Sequence, residues 1–121
     1  MLKKVSVLVS LLAVASFLIS CATVQRAPIT LDPQTAKQNR NKMFSAAIIK
    51  GAEMSYQVEN QDKENGLLTL THKIGTTTYR ITVMFKEDSV TVRGQVAEDF
   101  VNPFINGDVQ KIEDAIRAAS R

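Results

Sequence analysis

Between Met54 and Arg93, apolar and polar side chains alternate in four short runs separated by turn residues. Period two is what an extended chain with one buried face requires. The clearest run sets Tyr79, Ile81, Val83 and Phe85 against Arg80, Thr82 and Met84. Leu68, Leu70 and His72 oppose Thr69, Thr71 and Lys73 in a second, and Val90 and Val92 oppose Thr91 and Arg93 in a third. Met54, Tyr56 and Val58 alternate with Ser55, Gln57 and Glu59 in the fourth. Asn65-Gly66, Gly75 and Lys86-Glu87-Asp88 supply the turns between them. Strands joined by such short connections pair antiparallel, and a sheet with one apolar face needs a cover.

Two helices are predicted to supply that cover. Asp32-Pro33 is a helix start, with a carboxylate to accept from orphan amides and a proline suited to the first helical position. Met43, Phe44, Ala47 and Ile48 come next at helical spacing, and Gly51 is expected to end the helix in a left-handed turn. A second helix is expected from Asn106 or Asp108, with Val109, Ile112, Ile116 and Ala119 as its apolar stripe. Glu113 and Asp114 in its earlier half and Arg117 and Arg121 at its end suit the helix dipole. The expected fold is therefore α+β: a four-stranded antiparallel meander covered on one face by an N-terminal and a C-terminal helix, α-β-β-β-β-α, over residues 32–121.

The amino terminus obeys a different logic. Lys3 and Lys4 precede an apolar stretch from Val5 to Ile19, which is broken only by Ser6, Ser10 and Ser16 and ends at the small residue Ser20. Charge, length and order are those of a secretory signal peptide over residues 1–20. The stretch is shorter than the roughly 20 residues a membrane-spanning helix needs. Leu18-Ile19-Ser20-Cys21 resembles the lipobox of bacterial lipoproteins. That resemblance implies cleavage between Ser20 and Cys21 and acylation of Cys21 with a diacylated glyceride and a third, amide-linked chain. More than one acyl chain gives stable membrane attachment. Ala22 stands where an aspartate would signal inner-membrane retention in enteric-type bacteria, so the resemblance points to the outer membrane, with the domain facing the periplasm. Residues 21–31, with Pro28 and no apolar period, are expected to form the lipidated cysteine and a flexible spacer.

Removing the first 20 of 121 residues leaves 101, enough for one small domain. Lys3 and Lys4 go with them, so 13 of the 15 basic side chains remain against 12 acidic ones. No charge block is left to attract nucleic acid. Cys21 is the single cysteine, so the core relies on packing without disulfides.

Reactive constellations are scarce. His72 is the one histidine, and its place in the alternation makes it a strand residue near the sheet edge, with neither nucleophile nor orienting carboxylate beside it in sequence. The acidic turns at Asp62 and Glu64 and at Glu87 and Asp88 lack the ligand spacing and glycine of a calcium loop. The run from Lys37 to Lys42 is expected to be a solvated helix face. Phe100, Val101, Phe104 and Ile105 around Pro103 form an apolar loop. It either closes one end of the core, with Ile105 as a staple, or offers an interaction patch. Neither a catalytic residue, a metal site nor a cofactor is expected.

Lys50-Gly51-Ala52-Glu53-Met54, then Gly66, then Asn106 with Val109, Ile112 and Ile116 after it, resemble the pattern of a group of small bacterial lipoproteins without an assigned activity. The resemblance covers residues 40 to 118. The group often carries aromatics after the glycine and beside the asparagine, where this chain has Ala52, Ile105 and Asp108. The order helix, antiparallel strands, helix is also similar to the helix-grip domains of the BamC lipoprotein. The expected function is that of a lipid-anchored, non-enzymatic accessory or protein-interaction module. Its partners would be the bilayer, through acylated Cys21, and an envelope protein. The alternative is a binding module for a small periplasmic peptide or glycan, held on the outward sheet face at Thr69, Thr71, Arg80, Thr82 and Arg93.

Overall fold

The computed structural model describes residues 22–96 and 103–121. The elements run β1 (Ala22–Gln25), β2 (Ile29–Thr30), α1 (Pro33–Glu53), β3 (Gln57–Asp62), β4 (Leu67–Ile74), β5 (Thr77–Phe85), β6 (Ser89–Val96) and α2 (Pro103–Ala119). One antiparallel sheet is ordered β1-β6-β5-β4-β3, with β2 also paired to β6. Two helices pack together and onto the sheet, so the α+β class and the meander of β3 to β6 are as expected.

The sheet has six strands, however, where the alternation predicts four. Both additions come from residues 22–31, expected as a flexible spacer. Ala22–Gln25 pairs with Val96–Arg93, and Ile29–Thr30 with Val90–Ser89. The physical reason is the open edge of β6, whose amides and carbonyls need partners. The side chains then hold the segment down: Ile29 is buried, and Val24 and Leu31 pack against the core. Arg26, between the two strands, donates from Nε to Glu113 of α2 at 2.8 Å.

Helix α1 starts as the sequence predicts, with Asp32 Oδ2 accepting from the Thr35 amide at 3.2 Å and Pro33 in the first turn. It does not stop at Gly51. That glycine lies inside the helix, where an added Cβ would sit 2.9 Å from Leu70 Cδ1, so its role is close approach to β4. The left-handed residue is Ser55, with φ of 68°. The longer helix re-phases the next strand: Tyr56 is buried, but Val58 is 43% exposed and the register shifts between Val58 and Asn60. Alternation from Met54 therefore misjudges the inward face of β3.

The other strands keep their predicted faces. Leu68, Leu70, Ile81, Val83 and Val92 all point into the core beside Phe44, whose ring stacks on Phe85 with centroids 4.2 Å apart. Asp62 caps the β3–β4 turn by accepting from the side-chain and backbone amides of Asn65, which hold its carboxyl below the usual range. Gly66, at φ 69°, leaves room there for Arg40 and the Phe85 carbonyl. Gly94 does not end β6 as expected but sits within it. An added Cβ would lie 2.6 Å from Val109 and 2.7 Å from Ile105, so the missing side chain is what lets α2 approach the sheet.

Helix α2 begins at Pro103, earlier than Asn106, and its stripe of Ile105, Val109, Ile112 and Ile116 is fully buried. Ile105 is thus a helical core residue facing Gly94, neither a staple ahead of the helix nor part of an exposed patch. Phe100, Val101 and the side chain of Phe104 lie outside the described residues, as do Ser20 and Cys21.

Candidate functional site

At one end of the sheet the register lines up a row of residues across four strands. Ala22 faces Val96, Val96 faces Tyr79, and Tyr79 faces His72. Beyond this row β4 and β5 continue to Ile74 and Thr77 and close through the two-residue turn Gly75-Thr76, with Gly75 at φ 61°. Ile74 is 56% exposed.

An open cleft of about 400 Å³ lies here, lined by Met54, His72, Ile74, Tyr79 and Asp108. Met54 comes from the end of α1, Asp108 from the first turns of α2, and the remainder from β4 and β5. Three apolar or aromatic residues thus face one imidazole and one carboxylate. Tyr56 donates its hydroxyl to Asp108 Oδ2 at 2.8 Å. Burial first, and then that bond to the carboxylate, raises the Tyr56 hydroxyl above its ordinary pKa and holds it neutral. His72 is half-buried between two tyrosines, edge-on to Tyr56 at 5.4 Å and tilted against Tyr79 at 6.1 Å. Sequence places it near the edge; it stands on the second strand in, held by rings.

The opposite end carries a cleft of about 370 Å³ lined by Pro33, Ala36, Lys37, Arg40, Lys86 and Glu87. The run from Lys37 to Lys42, expected as a solvated helix face, divides. Lys37 is exposed, Arg40 donates from Nη2 to the Phe85 carbonyl at 3.0 Å, and Asn39 donates to the Ser120 carbonyl at 3.1 Å near the end of α2.

The burial of Glu113 has no signal in the sequence. It is only 4% exposed and accepts from Arg26 at 2.8 Å and Arg117 at 3.0 Å, which joins the amino-terminal strands to α2. Glu113 stands on the flank of the apolar stripe, four residues after Val109 and three before Ile116, and a flanking glutamate has the same pattern whether or not a distant arginine covers it. On the outward sheet face Thr69 faces Thr82, Thr71 faces Arg80, and Thr82 faces Arg93, as the alternation predicts. Arg80 there makes a two-pronged pair with Glu59 at 3.1 and 3.3 Å, and Arg93 Nε is buried without a hydrogen-bond partner.

Among the described residues no group of three or more His, Cys, Asp or Glu side chains could hold a metal ion, and no helix is long and apolar enough to cross a membrane. No family model matches the chain, and no curated protein matches it. Among solved structures the chain is similar to that of Ara h 8.0201, at 11% identity and a TM-score of 0.42 over 83% of this chain and 94% of that one. A likeness that loose carries no functional argument.

Proposed function

We propose that the protein is a lipid-anchored envelope lipoprotein, a non-enzymatic accessory or interaction module whose domain is held at the outer membrane, facing the periplasm. The observation that carries this reading is Leu18-Ile19-Ser20-Cys21 at the end of a charged and then apolar leader. Cleavage there frees the amino group of Cys21, and an amide-linked acyl chain on that group, with a diacylglyceryl thioether on the sulfur, gives an anchor with several chains, which a bilayer holds firmly. Metabolic labelling with a palmitate analogue tests it. The wild-type chain takes up label and Cys21→Ala does not; equal labelling of the two refutes the anchor. Reproducible protein neighbours in in-cell crosslinking support the accessory role.

A second reading is a binding module for a periplasmic peptide or glycan on the outward sheet face. The unpartnered Nε of Arg93, among Thr69, Thr71, Arg80 and Thr82, favours it. Retention on purified cell-wall sacculi that is lost in Arg93→Gln supports this reading; no retention removes it.

A further inference from the structure

Resting on the lipid anchor at Cys21, we infer that the tip of the β4–β5 hairpin, from Lys73 to Thr77 with Ile74 as its apolar residue, enters the headgroup layer of the same bilayer. The inference comes from register. Strand β1 begins at Ala22, one peptide unit from Cys21, so no spacer separates the acylated residue from the sheet. Consecutive Cα atoms are about 3.8 Å apart, so the sheet end cannot stand off from the lipid surface by more than a side chain's reach.

Strand direction then decides which part of the domain meets the membrane. The chain enters β1 from Cys21 and runs away from the bilayer, so β6 and β4 run toward it. In the row Ala22, Val96, Tyr79, His72, residue 22 is the level at which the anchor holds the domain. Strand β4 continues two residues past His72 to Ile74 before Gly75-Thr76 turns it back. Along β4 itself, at about 3.3 Å per residue, the hairpin extends roughly 7 to 10 Å past the row. Twist of about 20–25° per strand tilts β4 from β1, so that length is the upper bound of its reach toward the bilayer. It is enough for the shallow part of the roughly 5 to 10 Å depth at which interfacial segments sit.

The chemistry of the tip fits that place. Ile74 is one of only three large hydrophobics exposed among the described residues, and Lys73 beside it is exposed and cationic, suited to lipid phosphates. The cleft of Met54, Ile74 and Tyr79 opens at this same end. The turn Lys86-Glu87-Asp88 and the basic cleft of Lys37, Arg40 and Lys86 lie at the other end, facing away from the bilayer.

The test uses the processed, full-length protein in phosphatidylethanolamine and phosphatidylglycerol vesicles. The diacylglyceryl thioether blocks the sulfur of Cys21, so a single introduced cysteine takes an environment-sensitive fluorophore. Ile74→Cys and, as an independent tip position, Thr76→Cys are compared with Glu87→Cys at the far turn, and the intact mass of each sample is recorded. The tip labels are expected to be at least about fivefold less accessible to aqueous iodide than the Glu87 label, and quenched by lipids spin-labelled near the headgroup, as insertion to interfacial depth requires. If the mass shows triacylated Cys21 but all three labels respond alike, the hairpin does not enter the bilayer and the proposal is overturned while the anchor stands. If the mass shows an unmodified Cys21, the anchor reading fails and the inference with it.

Discussion

The two margins of the sheet are built on opposite principles. On the β6 side, β1 and β2 are only four and two residues long, yet Ile29 is buried, Val24 and Leu31 pack on the core, and Arg26 is clamped to a buried glutamate. On the other side β3 has six residues and a full partner in β4, but its side chains are exposed or half-buried, its register is bulged, and Val58 is 43% exposed. Strand length alone would rank them the other way. What differs is side-chain burial, and burial contributes far more than pairing that water can replace. The margin tied to the core is also the one that leads to Cys21, so a load on the proposed anchor would be carried into β6 and α2.

Substitutions can sharpen or break this contrast. The largest effect is expected at Ile29→Ala, which deletes a buried side chain and should cost about 2–4 kcal/mol in denaturant unfolding. Gly94→Ala, opposite Val24 in β1, forces a Cβ against Val109 and Ile105 and should cost about 1–3 kcal/mol by the same measurement, through overpacking. Arg26→Ala leaves Glu113 buried with Arg117 alone. Because Arg26 is itself partly exposed and Arg117 remains, the loss should be about 1–2 kcal/mol, smaller than that of breaking an isolated buried pair.

On the β3 side the strong tie lies at the entry, Tyr56. Its hydroxyl pKa is raised in the folded state, so the unfolded chain loses this proton first, near the ordinary tyrosine pKa of about 10. The stability it contributes is therefore complete below about pH 10 and declines as pH rises above that value. Tyr56→Phe should lower stability at neutral pH by about 1 kcal/mol and flatten the alkaline decline seen in a pH series of unfolding curves. The smallest effects belong to the strand itself. Val58→Ala should change stability by less than about 0.5 kcal/mol. Glu59→Ala, which removes an exposed pair with Arg80, should cost no more than about 0.5 kcal/mol. A large loss at either position would erase the distinction between the margins.

How much of this fold is legible in the chain depends on the length over which a pattern repeats. Strands β4 and β5 and the stripe of α2 are long enough to show their period, and Leu68, Leu70, Ile81, Val83, Ile112 and Ile116 are buried as that period requires. Strands β1 and β2 are too short to have one, and Pro28 between them reads as a linker, so they resemble a tether until β6 is there to pair with them. Gly51 misleads because a glycine near a helix end has two uses, a left-handed stop or a close contact, and only the position of Leu70 shows which applies. The cleft is illegible because Tyr56 and Asp108 stand 52 residues apart and meet only when both helices are in place.

The most direct test of the lipid anchor is the mass of the amino-terminal peptide of the protein extracted from bacterial membranes. The expected peptide begins at Cys21 and carries a diacylglyceryl thioether and an amide-linked acyl chain, joined without a spacer to the residue that opens β1. A chain that begins elsewhere, or at Cys21 with an unmodified thiol, would contradict it.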